Sequence, residues 1–213
     1  TVTEAFRGWA PHGREASFAR TAQPQPPGRE TVEMADKLNL DVRMGHAVPL
    51  RRDSADFLAL FAGVFVLGGN FSARLMQTVR DEQGLTYGVG ARLAGPAVEH
   101  DMDLRVSISL SQENLERGIA ATREQIERWA GGITAEELER AKTTLAGQHV
   151  VGLATTGGLA ARLLVYAERG FGPGYLDRYP EEIRALTVDE VNAAIARYVQ
   201  PDALHVVAAG TAA

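Results

Sequence analysis

Arg80 and Tyr87 stand seven positions apart, with a single glycine, Gly84, between them. By type both can donate hydrogen bonds to an oxygen that carries negative charge. A guanidinium is always ionised and presents several N–H groups in a planar fork; a phenol presents one O–H. The plainer account of the same pair is structural: a helix-end cation favoured by the dipole, and a half-buried strand aromatic. Spacing alone does not separate the two. The other chemically capable residues give less. His12, His46, His100, His149 and His205 are scattered, and no two are close enough to project from one helical turn as metal ligands. His46 reads as a packed strand residue beside Met44 and Val48, and the other four as surface or loop residues. Glu136–Glu137 and Glu181–Glu182 fall in the first turns of predicted helices, where the dipole favours acids, so paired acid–base work is not indicated. Gly68–Gly69 lacks the Lys-Ser/Thr of a nucleotide loop and reads as a tight turn between helices.

The elements that must position Arg80 and Tyr87 lie in residues 67–93. Gly68 and Gly69 end an apolar run, and Asn70 or Ser72 supplies a side-chain cap for a new helix. That helix carries Leu75, Met76 and Val79 on one side, and Gly84 breaks it. A strand follows in which Leu85, Tyr87, Val89, Ala91 and Leu93 alternate onto one face. The pair therefore flanks a glycine-broken corner between helix and strand, where the backbone can hold both side chains still.

Around this corner the chain reads as α+β. Residues 1–30 hold Phe6 and Trp9 and then a Pro-rich linker through Pro24, Pro26 and Pro27, so the domain proper is placed at residues 31–213. A strand is expected over residues 42–50. A buried helix follows, apolar nearly all round and capped by Asp53 or Ser54. Met102, Leu104, Val106, Ile108 and Leu110 alternate without a break and mark a strand antiparallel to the one bearing Tyr87. Leu115, Ile119, Thr122, Ile126 and Trp129 then form a helical stripe that Gly131–Gly132 stop, with Arg123 and Glu127 as an exposed pair one turn apart. Thr134–Glu137 and Thr187–Glu190 are capping boxes, residues 155–170 a helix, and Pro180 the first turn of a short one. A last strand spans residues 204–208. The order indicates a largely antiparallel sheet covered by helices on one face.

Composition bounds the partners. A chain of 213 residues with net charge −5 gives no electrostatic reason to expect nucleic acid or an anionic membrane. Its longest apolar stretch, residues 57–67, suits a buried helix rather than a membrane span. The absence of cysteine excludes disulfides and thiolate chemistry, and is compatible with the periplasm and the cytoplasm alike.

Residues 67–87 also resemble a known signature. Leu67-Gly68-Gly69, Ser72-Ala73-Arg74-Leu75, Arg80 and Gly84-Leu85-Thr86-Tyr87 are similar, in type and spacing, to the second, non-catalytic half-domain of the pitrilysin/insulinase family of zinc peptidases, which includes the mitochondrial processing peptidase. The Phe6-Arg7-Gly8-Trp9 segment resembles the family's closing of the preceding half. The resemblance implies one half of a clamshell closed on a peptide substrate. It places no metal or cofactor in this chain. Zinc is expected in a partner half, upstream in the same polypeptide or on a separate subunit, held by the family's inverted His-x-x-Glu-His helix. It assigns Arg80 and Tyr87 to binding the substrate carbonyl and stabilising the transition state, and Ser72 and Arg74 to a cap and an ion pair with an acid still to be found. A homodimer is a further association it admits. The competing expectation is a non-enzymatic scaffold or assembly subunit that keeps the fold.

Overall fold

The structure is a computed structural model that describes residues 2–10, 21–96 and 98–211. Five strands form one sheet: β1 (Gly28–Glu33), β2 (Asn39–Val48), β3 (Thr86–Ala94), β4 (Met102–Ser111) and β5 (His205–Gly210), in the order β1-β5-β2-β4-β3. Every neighbouring pair is antiparallel except β1 with β5. The alternation in β4 is realised fully, with Met102, Leu104, Val106, Ile108 and Leu110 all buried. β2 sends Leu40, Val42, Met44 and Val48 to the same side. β1 begins inside the stretch read as a linker. Its partner β5 lies at the far end of the chain, so no local pattern marks it.

The helices are α1 (Val2–Ala5), α2 (Phe57–Gly68), α3 (Leu115–Ala130), α4 (Ala135–Gly152), α5 (Thr156–Glu168), α6 (Tyr175–Ala185) and α7 (Val188–Tyr198). The apolar α2 is central and packs against β3, α4 and α7. Burial of each large aliphatic side chain there contributes about 1.5–3 kcal/mol. Neither Asp53 nor Ser54 caps it. The helix begins at Phe57 after Asp56, whose carboxylate instead accepts from the Tyr198 hydroxyl and Arg197, while Ser54 Oγ accepts from the Arg51 N–H. The α3 stripe is buried at Ile119, Thr122, Ile126 and Trp129, and the Trp129 indole donates to the Gly63 carbonyl of α2 at 2.9 Å. The exposed ion pair on α3 is Arg128 with Glu124, one residue on from Arg123 and Glu127. Both capping boxes form.

Pro180 lies inside α6, not in its first turn. A proline has no N–H to donate to the carbonyl four residues back, which here belongs to Leu176. His149 of α4 fills that vacancy, with Nε2 placed 2.8 Å from the Leu176 oxygen. The nitrogen must therefore carry the proton, and Nδ1 is left buried without a partner among the described residues. His149 is thus 3% exposed, a core residue and not the surface or loop residue its sequence context suggests. Its ring lies 5.0 Å from that of Tyr179, whose phenol is pushed up to about 12 by burial. His149→Leu should cost about 1–2 kcal/mol, because it strands a buried carbonyl. Adding Pro180→Ala, which restores an N–H to that carbonyl, should recover part of the loss. Urea denaturation of the single and double variants would measure the coupling.

Candidate functional site

The corner between α2 and β3 is built by close approach. A side chain on Gly68, the last residue of α2, would run into the backbone of Ala91 on β3, so only glycine lets the helix end sit on the strand. This packing is what Gly68 serves, whereas a side chain on Gly69 would meet Phe65 of α2 itself. Beyond it, Asn70 Oδ1 accepts from the Ser72 N–H at 2.7 Å, and a turn at residues 70–73 leads into the next helix. Over Met76–Glu82 that helix is π-helical, wider than the α-helix its apolar spacing suggests. The Gln83 N–H reaches back to Thr78 and the Leu85 N–H to Val79. Such wide turns recur at functional sites. Gly84 then adopts a positive φ of 62° and turns the chain into β3.

Arg74 has found its acid. Its guanidinium grips Glu137 through Nε at 2.6 Å and a second nitrogen at 2.7 Å, and also donates to the Gly132 carbonyl. Glu137 is the capping-box residue of α4, so one carboxylate ties the signature helix to the start of α4. The Arg74 guanidinium, burial notwithstanding and with help from the Thr134 N–H, holds the Glu137 carboxyl below the usual carboxylate range.

Tyr87 does not share a face with Leu85 and Val89. Thr86 pairs with Leu110 and Val89 with Ile108, so β3 carries one extra residue at this point. This bulge reverses the local alternation. Leu85, Val89, Ala91 and Leu93 stay buried, while Tyr87 swings outward and is 89% exposed. The Thr86 hydroxyl pins the bulge, donating to the Ser109 carbonyl at 2.6 Å and accepting from the Gly88 N–H at 3.1 Å.

The outward turn brings Tyr87 to Arg80. The guanidinium carbon of Arg80 lies 5.2 Å from the Tyr87 ring centre and 5.8 Å from that of Phe71, which is 77% exposed. Both distances are within cation–π range. Arg80 approaches Asp81 at 3.8 Å, and among the described residues no hydrogen bond takes up its N–H donors or the Tyr87 hydroxyl. The cluster thus presents an ionised fork and a phenol side by side at the surface. A groove of about 720 Å³ opens beside Tyr87 over Thr86, Gly88, Ser109 and Ser111. Another, of about 700 Å³, runs from Phe71 past Arg74 to α4. The sequence reading singles out neither Phe71 nor Thr86: one is an apolar residue in a polar turn, the other acts only through the bulge.

The four described histidines do not converge on a metal site. His46 Nε2 accepts from the Gln200 N–H, His149 is committed to Leu176, and His100 contacts the carbonyl of Asp101. His205 lies on β5, half-exposed, 3.3 Å from Glu30, and so is a strand residue. Among the described residues no three His, Asp or Glu side chains converge as ligands; His12 lies outside those residues.

This fold and this signature define a class. A sequence profile of the family described as the peptidase M16 inactive domain matches residues 1–145, and the chain belongs to that family. It is 30% identical over 187 residues to an uncharacterized zinc protease, SCO5738, of Streptomyces coelicolor, covering 79% of this chain and 40% of that protein. It is 28% identical over 131 residues to the non-peptidase homologue YmxG of Helicobacter pylori, covering 61% of this chain and 30% of that one. The crystal structure of a peptidase M16 inactive domain from Pseudomonas fluorescens superposes with a TM-score of 0.81 at 24% identity, over 94% of this chain and 47% of that one. The chain therefore spans less than half the length of these relatives.

Proposed function

We propose that this chain is the non-catalytic half of a zinc endopeptidase, inactive alone, which lends Arg80 and Tyr87 to a composite site facing a zinc-bearing half. The observation that carries this reading is the juxtaposition of the two side chains at the surface, 5.2 Å from guanidinium carbon to ring centre, with no hydrogen bond to their donors among the described residues. As water adds to a peptide carbonyl, negative charge grows on the oxygen. Donors already fixed in place stabilise that charge more than they stabilise the neutral carbonyl, and so lower the barrier. Arg80 offers a charged fork and Tyr87 a neutral hydroxyl. The π-helical turn and the pinned bulge hold them without contributions from a flexible loop. The zinc belongs to the other half, on the same polypeptide or on a partner subunit, and the substrate is an extended peptide lying between the halves.

The second reading is a scaffold that keeps the fold without taking part in chemistry; the similarity to a non-peptidase homologue favours it. The two readings part on one experiment. Cleavage of a fluorogenic peptide is measured with the zinc-bearing half alone and after adding this chain. Gain of cleavage on addition supports the composite site. Stable association without any gain supports the scaffold.

A further inference from the structure

We propose that Phe71 is the floor of an apolar subsite that receives the substrate side chain next to the scissile bond, an inference that rests on the composite-site reading above. Phe71 is one of the most exposed large apolar side chains among the described residues, yet it sits in a built turn. Asn70 accepts from the Ser72 N–H through its side chain and from the Ala73 N–H through its carbonyl, which fixes the backbone on both sides of Phe71. The ring lies 5.8 Å from the Arg80 guanidinium, which also faces the Tyr87 ring, so any carbonyl held by Arg80 has Phe71 within one residue's reach. An extended peptide places successive side chains about 3.3 Å apart along its axis and on opposite sides. A carbonyl at Arg80 thus brings a flanking side chain over the Phe71 ring. An apolar side chain there removes the exposed ring from water, whereas a small or charged one leaves it wet. The groove that continues from Phe71 towards α4 provides room for the rest of the chain.

The test uses the enzyme assembled with its zinc-bearing half and a set of quenched-fluorescence decapeptides of Gly and Ser carrying a single Leu, Phe or Ala at each position in turn. Wild-type enzyme should prefer Leu or Phe over Ala at one position beside the cleaved bond by about tenfold or more in kcat/KM. Phe71→Ala should erase that preference, mostly through KM, and Phe71→Leu should keep most of it. Neither change should alter the melting temperature, since the ring is exposed. An undiminished preference in Phe71→Ala overturns the proposal. So does an equal loss on every peptide accompanied by weaker association of the halves, which would mark Phe71 as an interface residue. Tyr87→Phe is run in parallel: if it leaves kcat unchanged while Phe71→Ala shifts the preference, the role given to the Tyr87 hydroxyl fails and the subsite beside Arg80 stands. If Tyr87→Phe lowers kcat and Phe71→Ala shifts nothing, only the subsite fails.

Discussion

Replacing Arg80 with alanine should lower kcat of the assembled enzyme by about 10²–10³-fold, the range seen when one preorganised donor is removed from a developing oxyanion. The same variant should unfold almost as the wild type does. Arg80 makes a 3.8 Å approach to the exposed Asp81, and such surface pairs contribute little to stability. Its loss is therefore a loss of function at constant fold. Arg80→Lys separates charge from geometry. A lysine restores a point charge but not the fork, and it does not pack as a plane near the rings of Phe71 and Tyr87. Partial rescue, with kcat between those of Arg80→Ala and wild type, is the expected result. Full rescue by lysine would mean that charge alone matters.

Replacing Arg74 should act on the fold instead. The Arg74–Glu137 pair is largely buried, with side chains 21% and 16% exposed, and it joins the signature helix to the capping box of α4. Removing one partner of a fully buried pair costs about 3–5 kcal/mol, and the residual exposure here brings Arg74→Met to about 2–3 kcal/mol. The cost must depend on pH. The Glu137 carboxyl titrates below its ordinary range in the folded chain, chiefly because of Arg74. The folded state therefore binds fewer protons than the unfolded one as pH falls through the carboxylate range. The stabilisation is complete above the unfolded pKa and is lost as pH drops through the folded one. Denaturation of wild type and Arg74→Met at neutral pH and at about pH 3 would show the gap between them narrowing in acid. A gap that stays constant would assign the loss to packing of the arginine stem.

Much of this architecture was legible because its determinants are local. Unbroken alternation in β4, the stripe on α3 and the two threonine capping boxes each need only a window of neighbouring residues. The misses share the opposite character. Tyr87 alternates with Leu85 in sequence, but the extra residue in β3 is set by pairing with β4, 19 to 24 positions away. Pro180 resembles a helix start because the donor that lets it sit inside α6 comes from His149, on another helix. The acid for Arg74 is 63 positions distant, and in sequence that glutamate reads only as the capping-box residue of its own helix. β1 was hidden because its hydrogen-bonding partner closes the chain. At the candidate site, type and spacing alone left Arg80 and Tyr87 between a structural and a functional reading, and the resemblance of residues 67–87 to the family signature singled them out. Their meeting depends on the π-helical turn and the bulge, which no periodicity reveals. Phe71 carries no local mark for the same reason: only the Arg80 guanidinium facing its ring sets it apart.

The central claim is that the Tyr87 hydroxyl serves the transition state and not the fold or the encounter with substrate. Tyr87→Phe removes that one oxygen from a side chain that is 89% exposed and leaves the ring beside Arg80 in place. Steady-state cleavage of a single peptide by the assembled enzyme, resolved into kcat and KM, isolates its contribution. A fall in kcat of about 10²-fold at nearly constant KM is predicted. A kcat/KM equal to that of the wild type would contradict the account.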